Sequence, residues 1–335
     1  MMPPRQLGMF FRALLTIIFL QATSLRAQMP TVLVVHSYHA EQQEHVVEMD
    51  KGIDEGLAGS NYQRHSFYMD SKRQTSEDWK RSAGKKAAEM LARLQPQVVI
   101  TMDDNAQQYF AKHYAGQPGP PWFVFSGVNN EPSVYGFPAA NVTGVLERPN
   151  VLESIELLRK IQPQVQNLLI MADKSETTDP LIAYCKTLEL PVNIVGYAQP
   201  LTLEDWRNTL EQFRGKIDAV GLYVARTVTR SASDPTKVPE QELIRLINED
   251  YRLPTVGFFD SAAESGVLCG VSVSMKEQGL AAGRIAKAIL AGKRPPDFAV
   301  QPTDHGRIQL NLGTAERLGI RIPYGIIARA EVVIR

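Results

Sequence analysis

From Thr31 onward, short β-branched runs alternate with longer segments whose apolar residues recur at helical spacing. The run Thr31–Val35 reads TVLVV, the pattern of a strand buried on both faces of a parallel sheet. Glu41–Leu57 follows, with Val46, Val47, Met49, Ile53 and Leu57 spaced for a helix. The pattern then predicts strand over Gln63–Met69, helix over Glu77–Leu94, strand over Gln97–Thr101, helix over Ala106–Tyr114 and strand over Trp122–Phe125. Parallel neighbours need long connections, so strands joined by helical crossovers imply a parallel sheet. The alternation then runs a second time, with helices over Val151–Ile161, Asp179–Leu188, Leu203–Phe213 and Glu240–Tyr251. Their strands are Leu168–Met171, Val192–Val195, Ala219–Val224 and Thr255–Phe259. The halves share an architecture and no detectable sequence repeat.

Two doubly wound lobes of the α/β class, joined by a hinge, are therefore expected. The stretch Asn129–Val145, rich in Pro, Gly and Asn, is the best candidate for the chain's crossing between them. Open parallel sheets bind ligands at the carboxyl ends of their strands, so two facing lobes make a cleft lined by strand-to-helix loops. Closing such a cleft on a guest is a hinge motion.

Composition narrows the function. The 335 residues suit two domains and hold 36 Lys plus Arg against 36 Asp plus Glu, without the basic excess that nucleic-acid binding requires. Two cysteines exclude a disulfide scaffold and a multi-cysteine metal cluster. Cys185 falls in a helical pattern and Cys269 in a strand-like one, which favours two separate buried thiols over a bridge. Residues 1–27 carry Arg5 and Arg12, then the apolar run Ala13–Leu20, then small residues, the order of a secretory signal peptide. The run is too short for the roughly 20 residues of a bilayer-spanning helix. Cleavage near Ser24 or Ala27 would remove Arg5, Arg12 and Arg26, leaving 33 basic against 36 acidic residues. A periplasmic location follows as the expectation.

Polar clusters mark the strand ends. The first strand leads into Ser37, Tyr38 and His39, the third into Asp103, Asp104 and Asn105, and the fourth into Ser126, Gly127 and Asn129. In the second half Asp173 follows one strand, Tyr223 and Arg226 another, and Asp260 a third. Each Ser, Asp or Asn also reads as a helix cap. Tyr38 offers a ring for stacking, Arg226 a planar fork for a carboxylate and Asp260 an acceptor for an amino group. His36, His39 and His45 match no zinc spacing, and no metal or other cofactor is expected. The nucleophile elbow, the phosphate loop and the H-E-x-x-H motif are all missing, so the chain does not read as an enzyme.

Several motifs resemble those of the ABC-transporter substrate-binding proteins that include tryptophan and tyrosine binders. Asn141-Val142-Thr143-Gly144-Val145, after Val124-Phe125-Ser126-Gly127-Val128, is similar to that family's crossing segment. The run from Ile308 to Pro323, with Asn311-Leu312-Gly313-Thr314-Ala315 and Leu318-Gly319-Ile320-Arg321-Ile322-Pro323, resembles its ending, and Ala328-Arg329-Ala330-Glu331 its last turn. Gly279–Pro295 is similar to its penultimate helix. The resemblance implies a type I periplasmic-binding-protein fold. Its lobes are expected at residues 28–145, with helix 276–294 returning to the first, and at 146–275, with 295–335 returning to the second. It also implies capture of a small organic solute, an amino acid or an aromatic or other carboxylate, for an inner-membrane permease, by a monomer. Met102-Asp103-Asp104-Asn105 replaces the family's Gly-Thr-type loop, and Val35-His36-Ser37-Tyr38-His39 looks more like related extracytoplasmic sensor modules. A receptor reporting to a sensor kinase is therefore the alternative.

Overall fold

In the computed structural model, which describes residues 29–39, 44–175, 178–303 and 305–335, the β-branched runs become strands at the centre of two sheets. The expected leader, the Glu41 end of the first expected helix and Glu176 with Thr177 lie outside the described residues.

The first half runs β1 (Thr31–His36), α1 (Glu44–Leu57), β2 (Gln63–Tyr68), α2 (Glu77–Leu94), β3 (Val98–Met102), α3 (Asp103–Tyr109), β4 (Trp122–Val128) and β5 (Val142–Leu146). The second continues α4 (Val151–Ile161), β6 (Asn167–Met171), α5 (Thr178–Cys185), β7 (Asn193–Ala198), α6 (Leu203–Gln212), β8 (Ala219–Leu222), α7 (Glu240–Arg245), β9 (Thr255–Gly257) and β10 (Cys269–Val273). The chain closes with α8 (Met275–Leu290), β11 (Gln301–Pro302), β12 (Gly306–Asn311), α9 (Leu312–Leu318), α10 (Tyr324–Ile327) and β13 (Val332–Ile334).

The first sheet has six strands in the order β11-β5-β4-β3-β1-β2, all parallel. The second has seven, β13-β12-β10-β9-β8-β6-β7, with one antiparallel pair, β10 against β12. Alternation along β1 splits its burial between two faces: Val32 and Val34 pack with Met49 and Ile53 of α1 and Ala282 and Ala286 of α8. Leu33 and Val35 pack with Ala83 and Ala87 of α2 and Phe123 and Phe125 of β4. The second sheet is likewise covered on both faces, by α4 and α5 with the C-terminal helices and by α6 with α7.

Among the described residues the chain passes between the sheets three times, after β5, after β10 and before β12. Two expectations need correction here. The Asn129–Val145 stretch does not make the first crossing, because Val142–Leu146 pairs with β4 as a full strand and the crossing falls at Glu147–Asn150. Residues 295–302 do not return to the second lobe, because Gln301 and Pro302 pair with Val145 and Leu146, so the last crossing lies between Pro302 and Gly306.

Cys185 and Cys269 are separate buried thiols. Burial pushes the Cys185 pKa up to about 12, which suppresses the reactive thiolate. Neither cysteine is expected to react with a thiol-specific reagent until denaturant unfolds the second lobe. Rapid labelling of native protein would refute this.

Candidate functional site

Strand ends place the polar clusters, and hydrogen bonds then decide which groups are spent on the fold. Ser37 is fully buried: its Oγ donates to the Met102 carbonyl at 2.7 Å and accepts the Ala106 N–H at 2.8 Å. It thereby satisfies a donor in the first turn of α3 from a neighbouring strand. Asn105 donates from Nδ2 to Ser71 Oγ at 2.9 Å. Ser126 donates to Gln278 of α8, and the Gly127 N–H reaches the same side chain at 3.1 Å. Asp104 accepts the Asn129 and Asn130 N–H groups and the Tyr135 hydroxyl, bracing the loop after β4. Asp173, 1% exposed, accepts the Arg226 and Thr227 N–H groups at 2.8 and 2.9 Å and the Ser175 hydroxyl. These six residues shape the strand-end loops, and their polar groups are engaged in hydrogen bonds within the fold. Asp103 to Asn105 form the first turn of α3 and not a free loop, since acids suit a helix N-terminus.

The three N-terminal histidines part company. His36 Nε2 lies 2.9 Å from Asp50 and stacks on Tyr68, His39 faces Asp70 at 3.4 Å, and His45 bonds Asp103 at 3.0 Å.

What remains points at one place, Glu147 on the first crossing. Burial and then the nearby Asp103 carboxylate push the Glu147 pKa up to about 8, with Asp260 from the second lobe adding to the effect. Tyr38 is raised well above the usual phenol range by burial and by Asp103 and Glu147. Tyr223, from the opposite sheet, is raised by burial and then by Glu147 and Asp260. Asp260 is raised by burial, against the pull of Arg307 and His45. Groups from both lobes thus share one electrostatic environment. The Tyr38 ring lies 5.5 Å from His45, and Lys72 Nζ sits 5.2 Å from its centre. The Arg226 side chain is exposed, its backbone held by Asp173.

Two cavities flank this point. One of about 650 Å³ is lined by Asn129, Glu147, Arg148, Leu181, Tyr184 and Tyr223 and is largely apolar. The other, of about 860 Å³, is lined by His45, Asp260, Glu264, Lys276 and Arg307. Of the residues expected from sequence, Asn129 and Tyr223 share a cavity lining with Glu147, and Tyr38 and Asp260 share its electrostatic environment, while Arg226 is felt only by Tyr223 among them. Asp103, Glu147 and His45 complete the cluster and were not expected as ligand residues. For Glu147 the missed signal was its place directly after the apolar run of β5.

The family model described as "ABC transporter substrate binding protein" matches residues 42–334. The chain belongs to that family. A tyrosine-binding protein of Clostridioides difficile is 23% identical to this substrate-binding protein over 189 residues, 55% of this chain. The match spans about half of that relative, 51% of its length. Among solved structures, the ligand-free, open form of a substrate-binding protein with adhesive properties from Clostridium difficile has a TM-score of 0.66 at 16% identity, covering 92% of this chain and 99% of that one. An ABC domain in complex with L-Trp from Streptococcus pneumonia has a TM-score of 0.50 at 19% identity, covering 91% and 100%. The substrate-binding protein therefore has the type I periplasmic-binding fold that its two sheets and three crossings describe. Among its described residues no helix is long and apolar enough to cross a membrane.

Proposed function

We propose that this chain is the solute receptor of an ABC importer and that its solute is an aromatic amino acid held around Glu147. The observation that carries the reading is the cavity of about 650 Å³ that Glu147 on the first crossing lines together with Tyr223 of the second lobe, with Tyr38 of the first lobe subject to the same carboxyl. Phenol rings supply flat faces for an aromatic guest. The exposed Arg226 guanidinium supplies a planar fork for a carboxylate. The ligands named for the tyrosine-binding relative and the L-Trp complex support the solute class. Export through residues 1–27, delivery to an inner-membrane permease and closure of the lobes about their three crossings belong to the same reading. The guest leaves chemically unaltered.

Calorimetry of the purified mature chain against L-tyrosine, L-tryptophan and L-phenylalanine is expected to give saturable binding for at least one. Flat isotherms for all three reject the solute class. Tyr38→Ala and Arg226→Ala are each expected to weaken binding by about 1–3 kcal/mol, roughly tenfold to a hundredfold, with little change in melting temperature. Unchanged affinity in both variants relocates the site. Neighbouring genes for a permease and an ATPase, in place of a sensor kinase, separate transport from signalling.

A further inference from the structure

A separate cavity, of about 500 Å³, lies in the first lobe between α2 and the 3₁₀ turn Ala111–Tyr114 that continues α3. No residue that lines it also lines either cavity beside Glu147. Its composition departs from that of the chain. The sequence balances 36 basic against 36 acidic residues. This lining holds Arg81, Lys85, Lys112 and His113 and, among the described residues, no acid.

Exposed lysines commonly point into solvent, so charge by itself says little. The second observation is that the backbone builds the hollow. Arg81, Gly84, Lys85 and Ala88 fall on one face of α2, at i, i+3, i+4 and i+7. Gly84 lets α2 and α3 touch: a Cβ there would lie 2.1 Å from the Tyr109 carbonyl oxygen. The next residue, Phe110, leaves helical geometry with φ −134° and ψ −71°, and the chain turns through Ala111–Tyr114. That turn brings Lys112 and His113 to the cavity that Arg81 and Lys85 line from α2. Tyr114 is half-buried and fixed, its ring 5.4 Å from that of Phe110 and 5.5 Å from that of Phe123. With Ala88 it gives the cavity an apolar side.

The cations are also unspent. Glu77, one turn before Arg81, has its two oxygens 2.8 and 2.9 Å from the Tyr109 hydroxyl, and Lys80 stands 3.5 Å away. Arg81 approaches the same carboxylate only to 3.8 Å. Among the described residues Lys85, Lys112 and His113 make no ion pair and no side-chain hydrogen bond. A monocarboxylate is satisfied by one guanidinium fork. A phosphate monoester carries about −1.5 to −2 charge near pH 7 and three acceptor oxygens, and so engages a guanidinium together with ammonium groups.

We propose that this cavity binds a phosphate monoester borne on an organic body. Arg81, Lys85 and Lys112 surround the phosphate oxygens, His113 adds a ring N–H, and Tyr114 and Ala88 pack against the body. The inference uses no residue of the solute site and stands apart from the amino-acid reading. Two sources present this chemistry, a soluble phosphate ester and a phosphate-ended lipid headgroup.

The test is calorimetry of the purified mature chain with phenyl phosphate and with benzoate, in a phosphate-free buffer. Phenyl phosphate is expected to bind saturably and at least about tenfold more tightly than benzoate, whose single charge leaves cations unpaired. Lys85→Gln/Lys112→Gln is expected to weaken phenyl phosphate at least about tenfold, with the melting temperature unchanged. Gln108→Glu, which places an acid in the lining and removes no cation, is expected to weaken it likewise. Flotation with phosphatidylcholine vesicles, with and without phosphatidic acid, assigns the source. Flotation that needs phosphatidic acid and is lost in both variants indicates the lipid headgroup; phenyl phosphate binding without flotation indicates the soluble ester. No saturable binding of phenyl phosphate, equal affinity for benzoate, or native affinity in either variant overturns the site. Flotation without phenyl phosphate binding is surface adsorption and overturns it too. If one variant fails to fold, the other decides.

Discussion

Replacing Gly279 with leucine is expected to unfold the first lobe, at a cost of about 4 kcal/mol or more. Helices α1 and α8 cross with their backbones touching, through Gly52 and Gly56 on one and Gly279 and Gly283 on the other. A Cβ on Gly279 would land on the Met49 carbonyl and within 3.0 Å of the Ile53 nitrogen. On Gly283 it would meet the Ile53 carbonyl oxygen at 2.6 Å. These obstacles are main-chain atoms of a helix, so no side chain can swing aside. Room for leucine comes only by parting the helices, which uncovers Val32, Val34, Met49 and Ile53. Alanine at the same position is expected to cost less, about 3 kcal/mol, the upper end of ordinary overpacking. Urea unfolding followed by circular dichroism checks both, and an unshifted midpoint for either variant would show that the helices have slack.

Asp173→Ala is expected to destabilise the second lobe by about 3 kcal/mol, because a buried carboxylate that accepts two backbone N–H groups is removed. The N–H groups of Arg226 and Thr227 then lose the Asp173 acceptor, and the loop that presents the Arg226 guanidinium loosens. Solute affinity should fall about tenfold even at temperatures where the variant stays folded. Asp173→Asn retains one acceptor oxygen and should fall between the two. Matched stability in chemical denaturation, or unchanged affinity in a folded Asp173→Ala sample, would separate this carboxylate from the site.

The fold was legible because parallel strands buried on both faces leave nearly unbroken β-branched runs, as TVLVV at β1 and NLLIM at β6 do. Helices α2 and α4 begin and end where their apolar spacing says. The first crossing was misplaced because Pro, Gly and Asn in Asn129–Asn141 signal irregular chain, and the short strand VTGVL behind them carries a glycine and a threonine. That error hid Glu147, which lies at a strand end like the other candidates. The strand-end rule found the right loops but could not tell a group facing the groove from one facing the fold. Ser37, Asn105, Ser126 and Asp173 make their bonds to main chain and side chains distant in sequence. Asp103 was hidden for a related reason: its left-handed backbone and unpaired oxygen belong to the folded chain, where it lies close to Gly127, and its sequence neighbours do not announce them.

The return of α8 and β11 to the first sheet also governs synthesis. When the ribosome has delivered β1 through β5, the six-stranded sheet still lacks its edge strand, and the face bearing Val32, Val34 and Val124 has α1 but not yet α8 to cover it. The whole of α4 through β10 must be translated before those pieces exist. The amino-terminal lobe is thus begun first and finished late, and during that interval its exposed apolar face is the part of the nascent polypeptide most in need of a chaperone.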